Sequence, residues 1–223
     1  MIIMCSIYGS ASLNMFEVLH DATIDRGHYA CSFLSILDKT TQLQQFEGHP
    51  TPIDKVKFNK NTKFYLGHNQ APTSSQRKYN KTTSHPFTCG DWMVAHNGVL
   101  TNFNQLNDEY TKKNKNPVDS SVIPALLQHF TEEYEGCKEL EIIETVLNLL
   151  EGTFAVWIYN TASNKIYLAR QGSTLFANLK TRDFCSIQSK DWVELKEGSI
   201  YEITKTKIVN RVTFKNTSPF FTL

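Results

Sequence analysis

Two blocks of strand-like sequence, separated by a pair of helical stretches, constrain the fold of this chain most. Near the start, residues 2–8 form a short apolar run with β-branched residues, and strand signals recur at residues 30–37 and within 55–66. The last third reads as a β-meander: residues 154–159 and 165–170 are joined by a hairpin loop, and further strands follow at 174–179, 184–187, 199–203 and 208–214. Between the blocks, a helix over residues 120–130 carries Pro124 in its first turn, where a missing N–H costs little. A second, over residues 138–150, aligns Leu140, Ile143, Val146, Leu147 and Leu150 on one face, with Gly152 placed to end it. A shorter helix is expected at residues 15–22, capped by Asn14. Strands at 92–95 and 99–101 flank Asn97-Gly98, the commonest short hairpin signal. With no linker, repeat or low-complexity tract, the pattern predicts one α+β layered domain.

Composition narrows the function classes. The chain has 223 residues, 40% of them hydrophobic, enough for one sizeable core. A net charge of +1 gives no general footprint for nucleic acid or a membrane surface, and the basic stretch at 111–116 reads as a solvated loop. Five cysteines, scattered and without a CxxC pair, indicate neither a disulfide framework nor a zinc site. Met1-Ile2-Ile3-Met4 lacks the features of a signal peptide, and no apolar run is long enough to span a bilayer. A cytoplasmic protein with reduced thiols is expected.

Cys5, in Met4-Cys5-Ser6-Ile7-Tyr8-Gly9, is the first candidate for chemistry. Exposed as an N-terminal residue, a cysteine carries a nucleophilic thiol and a proton-accepting amine on one residue. Four further segments are punctuated like a site: Asp25-Arg26-Gly27-His28; Gly67-His68-Asn69-Gln70 with Thr73, read as a loop after a strand; His96-Asn97-Gly98 with Asn102; and Val118-Asp119-Ser120-Ser121. Asn97 and Gly98 suit an oxyanion hole, one amide side chain and one closely approaching backbone N–H, as well as a hairpin turn. Asp119 suits a helix cap as well as a binding carboxylate.

In their order these segments resemble the class II glutamine amidotransferases, the N-terminal-cysteine members of the Ntn hydrolases. That family begins Cys-Gly-Ile-x-Gly, where this chain has Cys5-Ser6-Ile7-Tyr8-Gly9. Its Arg-Gly, Gly-His, His-Asn-Gly and Asp-Ser/Thr segments meet Arg26-Gly27, Gly67-His68, His96-Asn97-Gly98 and Asp119-Ser120, and its Glu-Gly-x-Phe-Ala strand and Ala-Arg strand end meet residues 151–155 and 169–170. The likeness covers roughly residues 4 to 203. It implies a four-layer αββα sandwich and a role for each residue. Cys5 attacks the glutamine carboxamide, with its α-amine as base. Arg26 fixes the cysteine backbone, and Asn97 and Gly98 hold the oxyanion. Asp119 takes the substrate ammonium, while Thr73, with the Gln70 position and His96, lines the amino-acid end. Ammonia then passes to a separate synthetase; no cofactor and no metal are implied, and His28, His68 and His96 are expected to be structural.

Three departures shape the expectation. Residues 1–4 precede Cys5, so a free amine requires translation from Met4 or cleavage of a short propeptide. Gln70 stands where the family has arginine, replacing a charged two-pronged grip on a carboxylate by a neutral amide; Arg77 or Lys78 is a candidate substitute. Tyr29-Ala30 stand where the family has Asp-Ser. Glutamine hydrolysis by residues 5–223 is the leading expectation. The alternatives are an Ntn amidohydrolase acting on a γ-glutamyl or other amide, and a catalytically silent regulatory subunit of the same fold.

Overall fold

A computed structural model describes residues 5–27, 29–38, 40–48, 53, 56–71, 80–112 and 114–215. Alternation of side chains along its strands builds two antiparallel sheets. In chain order the strands are β1 (Ser6–Ser10), β2 (Ala30–Ile36), β3 (Thr41–Glu47), β4 (Phe64–Gln70), β5 (Phe87–Cys89), β6 (Trp92–Leu100), β7 (Gly152–Asn160), β8 (Lys165–Gln171), β9 (Phe176–Asn178), β10 (Asp183–Cys185), β11 (Val193–Glu194), β12 (Ser199–Ile203) and β13 (Ile208–Thr213). One sheet has the order β11-β9-β10-β1-β4-β2-β3 and the other β13-β12-β8-β7-β6-β5.

The two sheets face each other. Ile7, Leu34, Leu66, Ala95, Trp157 and Leu168 point into the space between them and are all buried. Their strand neighbours point outward by the period-2 rule. Tyr8, Phe33 and Tyr65 lie beneath Phe16 and Leu19 of α1 (Leu13–Thr23) on one side. Val94, Val156 and Ile158 lie beneath α3 (Val122–Glu133) and α4 (Glu139–Leu149) on the other. The short α2 (Phe103–Glu109) sits beside α3. Helix, sheet, sheet, helix is the four-layer αββα sandwich that the resemblance implies. Two hydrogen bonds fix the sheets against each other: Trp157 Nε1–H donates to the Gly67 carbonyl at 3.3 Å, and His68 Nε2 meets the His96 carbonyl at 3.2 Å.

Several local expectations are corrected. Asn97-Gly98 is no turn: β6 runs straight through it, pairing Asn97 with Ala155 and Gly98 with Phe154. The flanking segments are collinear and find their partner in β7 rather than in each other. Gly67 to Gln70 is the second half of β4 and not a loop, because β1 and β2 pair with it on both sides. Ser12, not Asn14, caps α1, since the chain is still extended at Ser12 and its side chain accepts from Met15 N–H. Gly152 opens β7; α4 stops earlier, where Leu150 turns extended and buries in the core. The edge strand β3 and the helix α2 were not anticipated. β3 mixes exposed and half-buried residues and, with three glutamines, carries no apolar run.

Candidate active site

Cys5 lies just before β1, and the pairing of Ser6 with Asn69 brings it beside the end of β4. Its half-buried sulfur accepts the Ala71 N–H at 3.2 Å, a donor aimed where negative charge develops on a nucleophilic thiol. Arg26 ends a 3-10 turn that follows α1. The next residue, Gly27, lies so close to β4 that a Cβ there would come within 2.6 Å of the Asn69 and Gln70 backbone. This contact needs glycine, and it brings the arginine across to Ser186, whose carbonyl accepts from Arg26 Nη1 at 3.3 Å.

Asn97 comes from the other sheet and is fully buried. Its Nδ2 donates to Ser186 Oγ at 3.3 Å, while its Oδ1 has no partner among the described residues. Gly98 is half-buried, with φ at 155°, and an added Cβ would fall 2.0 Å from the Thr153 carbonyl and 2.7 Å from His96 Nε2. No side chain fits there.

The start of α3 is tied to the same strand. Asp119 Oδ2 accepts the Leu100 N–H at 2.8 Å, two residues beyond Gly98, and the N-cap of α3, Ser121, makes no side-chain cap bond. The carboxylate therefore serves β6 rather than capping the helix. His96 is bound at both nitrogens, Nδ1 to Ser120 Oγ at 2.8 Å and Nε2 to the Thr153 carbonyl at 3.2 Å. A carbonyl only accepts, so Nε2 carries the proton and Nδ1 takes the serine hydroxyl. Burial holds the His96 pKa down, while the nearby Asp119 charge pulls it back up. Burial pushes the His68 pKa down to about 3, only partly offset by its bond to the His96 carbonyl. The His68 ring stacks on His85 with centroids 3.9 Å apart.

Gln70 is buried at the end of β4, with Nε2 donating to the Thr83 carbonyl at 3.3 Å and Oε1 accepting the His85 N–H at 3.2 Å. Thr73, Arg77, Lys78 and His28 lie outside the described residues. Ile7, two residues after Cys5, therefore converges with Arg26 and Asn97 on Ser186, while Gly98 lies further along β6 and Asp119 is bonded to its end at Leu100. Gln70 faces the 80–85 segment instead. Ser186 and the Ala71 N–H were missed, and nothing local in the sequence marks either one. An open groove of about 940 Å³ lies nearby, lined by residues including Lys81, Thr82, Asn116 and Ser121, but no reacting candidate lines it. Among the described residues no cluster of His, Cys, Asp and Glu could hold a metal ion, and no helix is long and apolar enough to cross a membrane.

Comparison with known proteins adds a family model, "Glutamine amidotransferase domain", matched at residues 76–185. The chain is similar to the glutamine–fructose-6-phosphate aminotransferase (isomerizing) of Streptococcus agalactiae serotype V, 26% identical over 197 residues, 78% of this chain and 32% of that protein. It is also similar to the 7-cyano-7-deazaguanine synthase of Saccharolobus solfataricus, 25% identical over 190 residues, 78% of this chain and 40% of that protein. Its fold matches the glutamine phosphoribosylpyrophosphate amidotransferase of B. subtilis with a TM-score of 0.71 at 16% identity, over 93% of this chain and 49% of that one. The chain thus spans about a third to two fifths of the length of these curated relatives.

Proposed function

We propose that this chain, a class II glutamine amidotransferase domain of the Ntn-hydrolase superfamily, hydrolyses the side-chain amide of glutamine and yields ammonia for an acceptor enzyme. The observation that supports the reading is a shared hydrogen-bond partner, Ser186 Oγ. One serine hydroxyl bonds both Ile7, two residues after Cys5, and Asn97.

The chemistry starts when residues 1–4 are removed and Cys5 bears a free α-amine. The amine takes the thiol proton, and the sulfur bonds to the carboxamide carbon. The carbonyl π pair moves onto oxygen, where Asn97 Nδ2–H and Gly98 N–H stabilise it. As the carbon–nitrogen bond breaks, the amine returns the proton to the leaving nitrogen, and ammonia departs. Water then attacks the thioester, freeing the thiol and glutamate. Arg26 holds the surrounding backbone, Asp119 supplies a negative charge for the substrate ammonium, and Thr73 takes part in gripping the carboxylate. A cytoplasmic setting with reduced thiols is part of this proposal. Ammonia would be consumed by a separate synthetase that activates the acceptor.

One observation favours a second reading. Gln70 is neutral and its amide is already bonded to Thr83 and His85. A substrate whose α-carboxylate is modified would not need the missing arginine. Steady-state release of glutamate from glutamine, by protein beginning at Cys5, tests the first reading. Turnover abolished by Cys5→Ala is expected. Turnover of γ-glutamyl amides but not of glutamine would move the assignment to the second. No turnover of any amide would leave a silent subunit of the same fold.

A further inference from the structure

We propose that Ser186 is a positioning residue for the oxyanion hole, fixing the Asn97 carboxamide so that its N–H end, not its oxygen, faces the carbonyl under attack. This rests on the amidase reading above and adds a residue to its machinery.

Ser186 follows β10 and is buried, and each of its polar atoms is engaged. Its N–H donates to the Ile7 carbonyl at 2.9 Å. Its carbonyl accepts from Arg26 Nη1 at 3.3 Å and from Thr174 Oγ1 at 2.9 Å. Three backbone anchors thus hold the residue still. A hydroxyl has two acceptor sites and one proton. The Ile7 N–H, at 3.0 Å, and Asn97 Nδ2, at 3.3 Å, fill the acceptor sites, and the proton goes to the Ile7 carbonyl at 3.3 Å. Ser186 therefore has no proton left for Asn97, and only the nitrogen end of the amide can face it.

The consequence lies at the other hydrogen of Nδ2. One N–H is held by Ser186, so the second is fixed in direction and available to a developing oxyanion. Asn97 Oδ1, buried and without a described partner, would otherwise draw the amide round toward a donor. Through Ile7 the same hydroxyl holds the strand that carries Cys5, so nucleophile and oxyanion donor keep a common reference. No ligand is needed for this arrangement, which is preorganisation in the sense that favours catalysis.

The test is a double-mutant cycle on protein beginning at Cys5. Ser186→Ala should lower kcat about 10- to 100-fold, less than deletion of a whole oxyanion donor, with KM changed by less than about threefold. In the Asn97→Ala background the same change should cost almost nothing, because the residue it orients is gone. Losses that multiply would overturn the proposal, as would an unchanged kcat. If Ser186→Ala does not fold, the near-isosteric pair Ser186→Thr and Ser186→Val decides: Thr should retain activity and Val lose it, and equal activity would overturn the idea. Failure of the wild-type protein to hydrolyse glutamine would sink the functional reading alone. The positioning role is then read from the Asn97 side-chain NH2 signals in a ¹⁵N-labelled protein. They should be well separated in the wild type and shifted in Ser186→Ala; signals that do not move would refute it.

Discussion

At one end of the candidate site, Ile7 in the strand just after Cys5, Arg26 and Asn97 reach a shared residue, Ser186, from three separate parts of the chain; at the other, Gln70 and Asp119 bond to the protein's own loops and strands. The reacting end is thus defined by long-range contacts that hold without a substrate. The proposed substrate end is tied to its neighbouring segments. Asp119 Oδ2 supports the Leu100 N–H, and Oδ1 lies 3.3 Å from Ser120 Oγ. Gln70 is engaged at both ends of its amide: among the described residues, the Thr83 carbonyl accepts from Nε2 and the His85 N–H donates to Oε1. That complement matches an amide. It does not match a guanidinium, which only donates. On the proposed reading, reaction type and substrate grip are set by separate parts of the fold, so that the first can persist while the second changes.

The largest expected effect falls on the reacting end. Cys5→Ala should lower glutamate release by at least about 10⁴-fold, leaving the melting temperature nearly unchanged. Asn97→Ala should lower kcat by about 10²–10³-fold with KM little changed. If either variant raised KM instead, the division between the two ends would break. At the substrate end the split should reverse. Asp119→Asn keeps an acceptor for Leu100 but loses the charge, so KM for glutamine should rise about 10- to 100-fold while kcat moves less. Gln70→Arg should not tighten glutamine binding. It buries a charge beside a backbone donor, and urea unfolding should show a loss of about 1–3 kcal/mol. A tighter KM in that variant would mean that Gln70 does face the substrate.

The smallest effect is one of pH. His68 has a folded pKa of about 3, against an ordinary value near 6.5. Between these values the unfolded chain holds a proton that the folded one does not. The stabilisation is therefore complete above pH 6.5 and is lost as pH falls toward 3, by about 1.4 kcal/mol per unit. From pH 7.5 to 5.5, unfolding free energy should fall by about 1.4 kcal/mol from this group, and His68→Gln should remove that part of the slope. An identical slope in the variant would show that His68 becomes protonated in the folded state.

How much of this could be read from sequence depends on the range of the contacts. Residues 154–159 form a continuous apolar run, so β7 was legible as a strand, though not which of its faces meets which layer. The helical pair was legible from the spacing of Ile143, Val146 and Leu147. β3 was not, because an edge strand with mixed exposure lacks an apolar period. Asn97-Gly98 carried a turn signal that pairing with β7 overrode. The order of segments pointed to Cys5, Arg26, Asn97 and Asp119 as a set. It did not show that Gln70 lies buried against Thr83 and His85, nor that Ser186, 179 positions from Ile7, joins the others. Those facts arise only when two sheets close on each other.

The most direct measurement is intact mass before and after reaction with a diazo-ketone analogue of glutamine. The expected result is a protein starting at Cys5 that gains one covalent adduct, absent in Cys5→Ala. A protein that starts at Cys5 and gains no adduct, or an adduct that persists in Cys5→Ala, would contradict Cys5 as the glutamine-directed nucleophile.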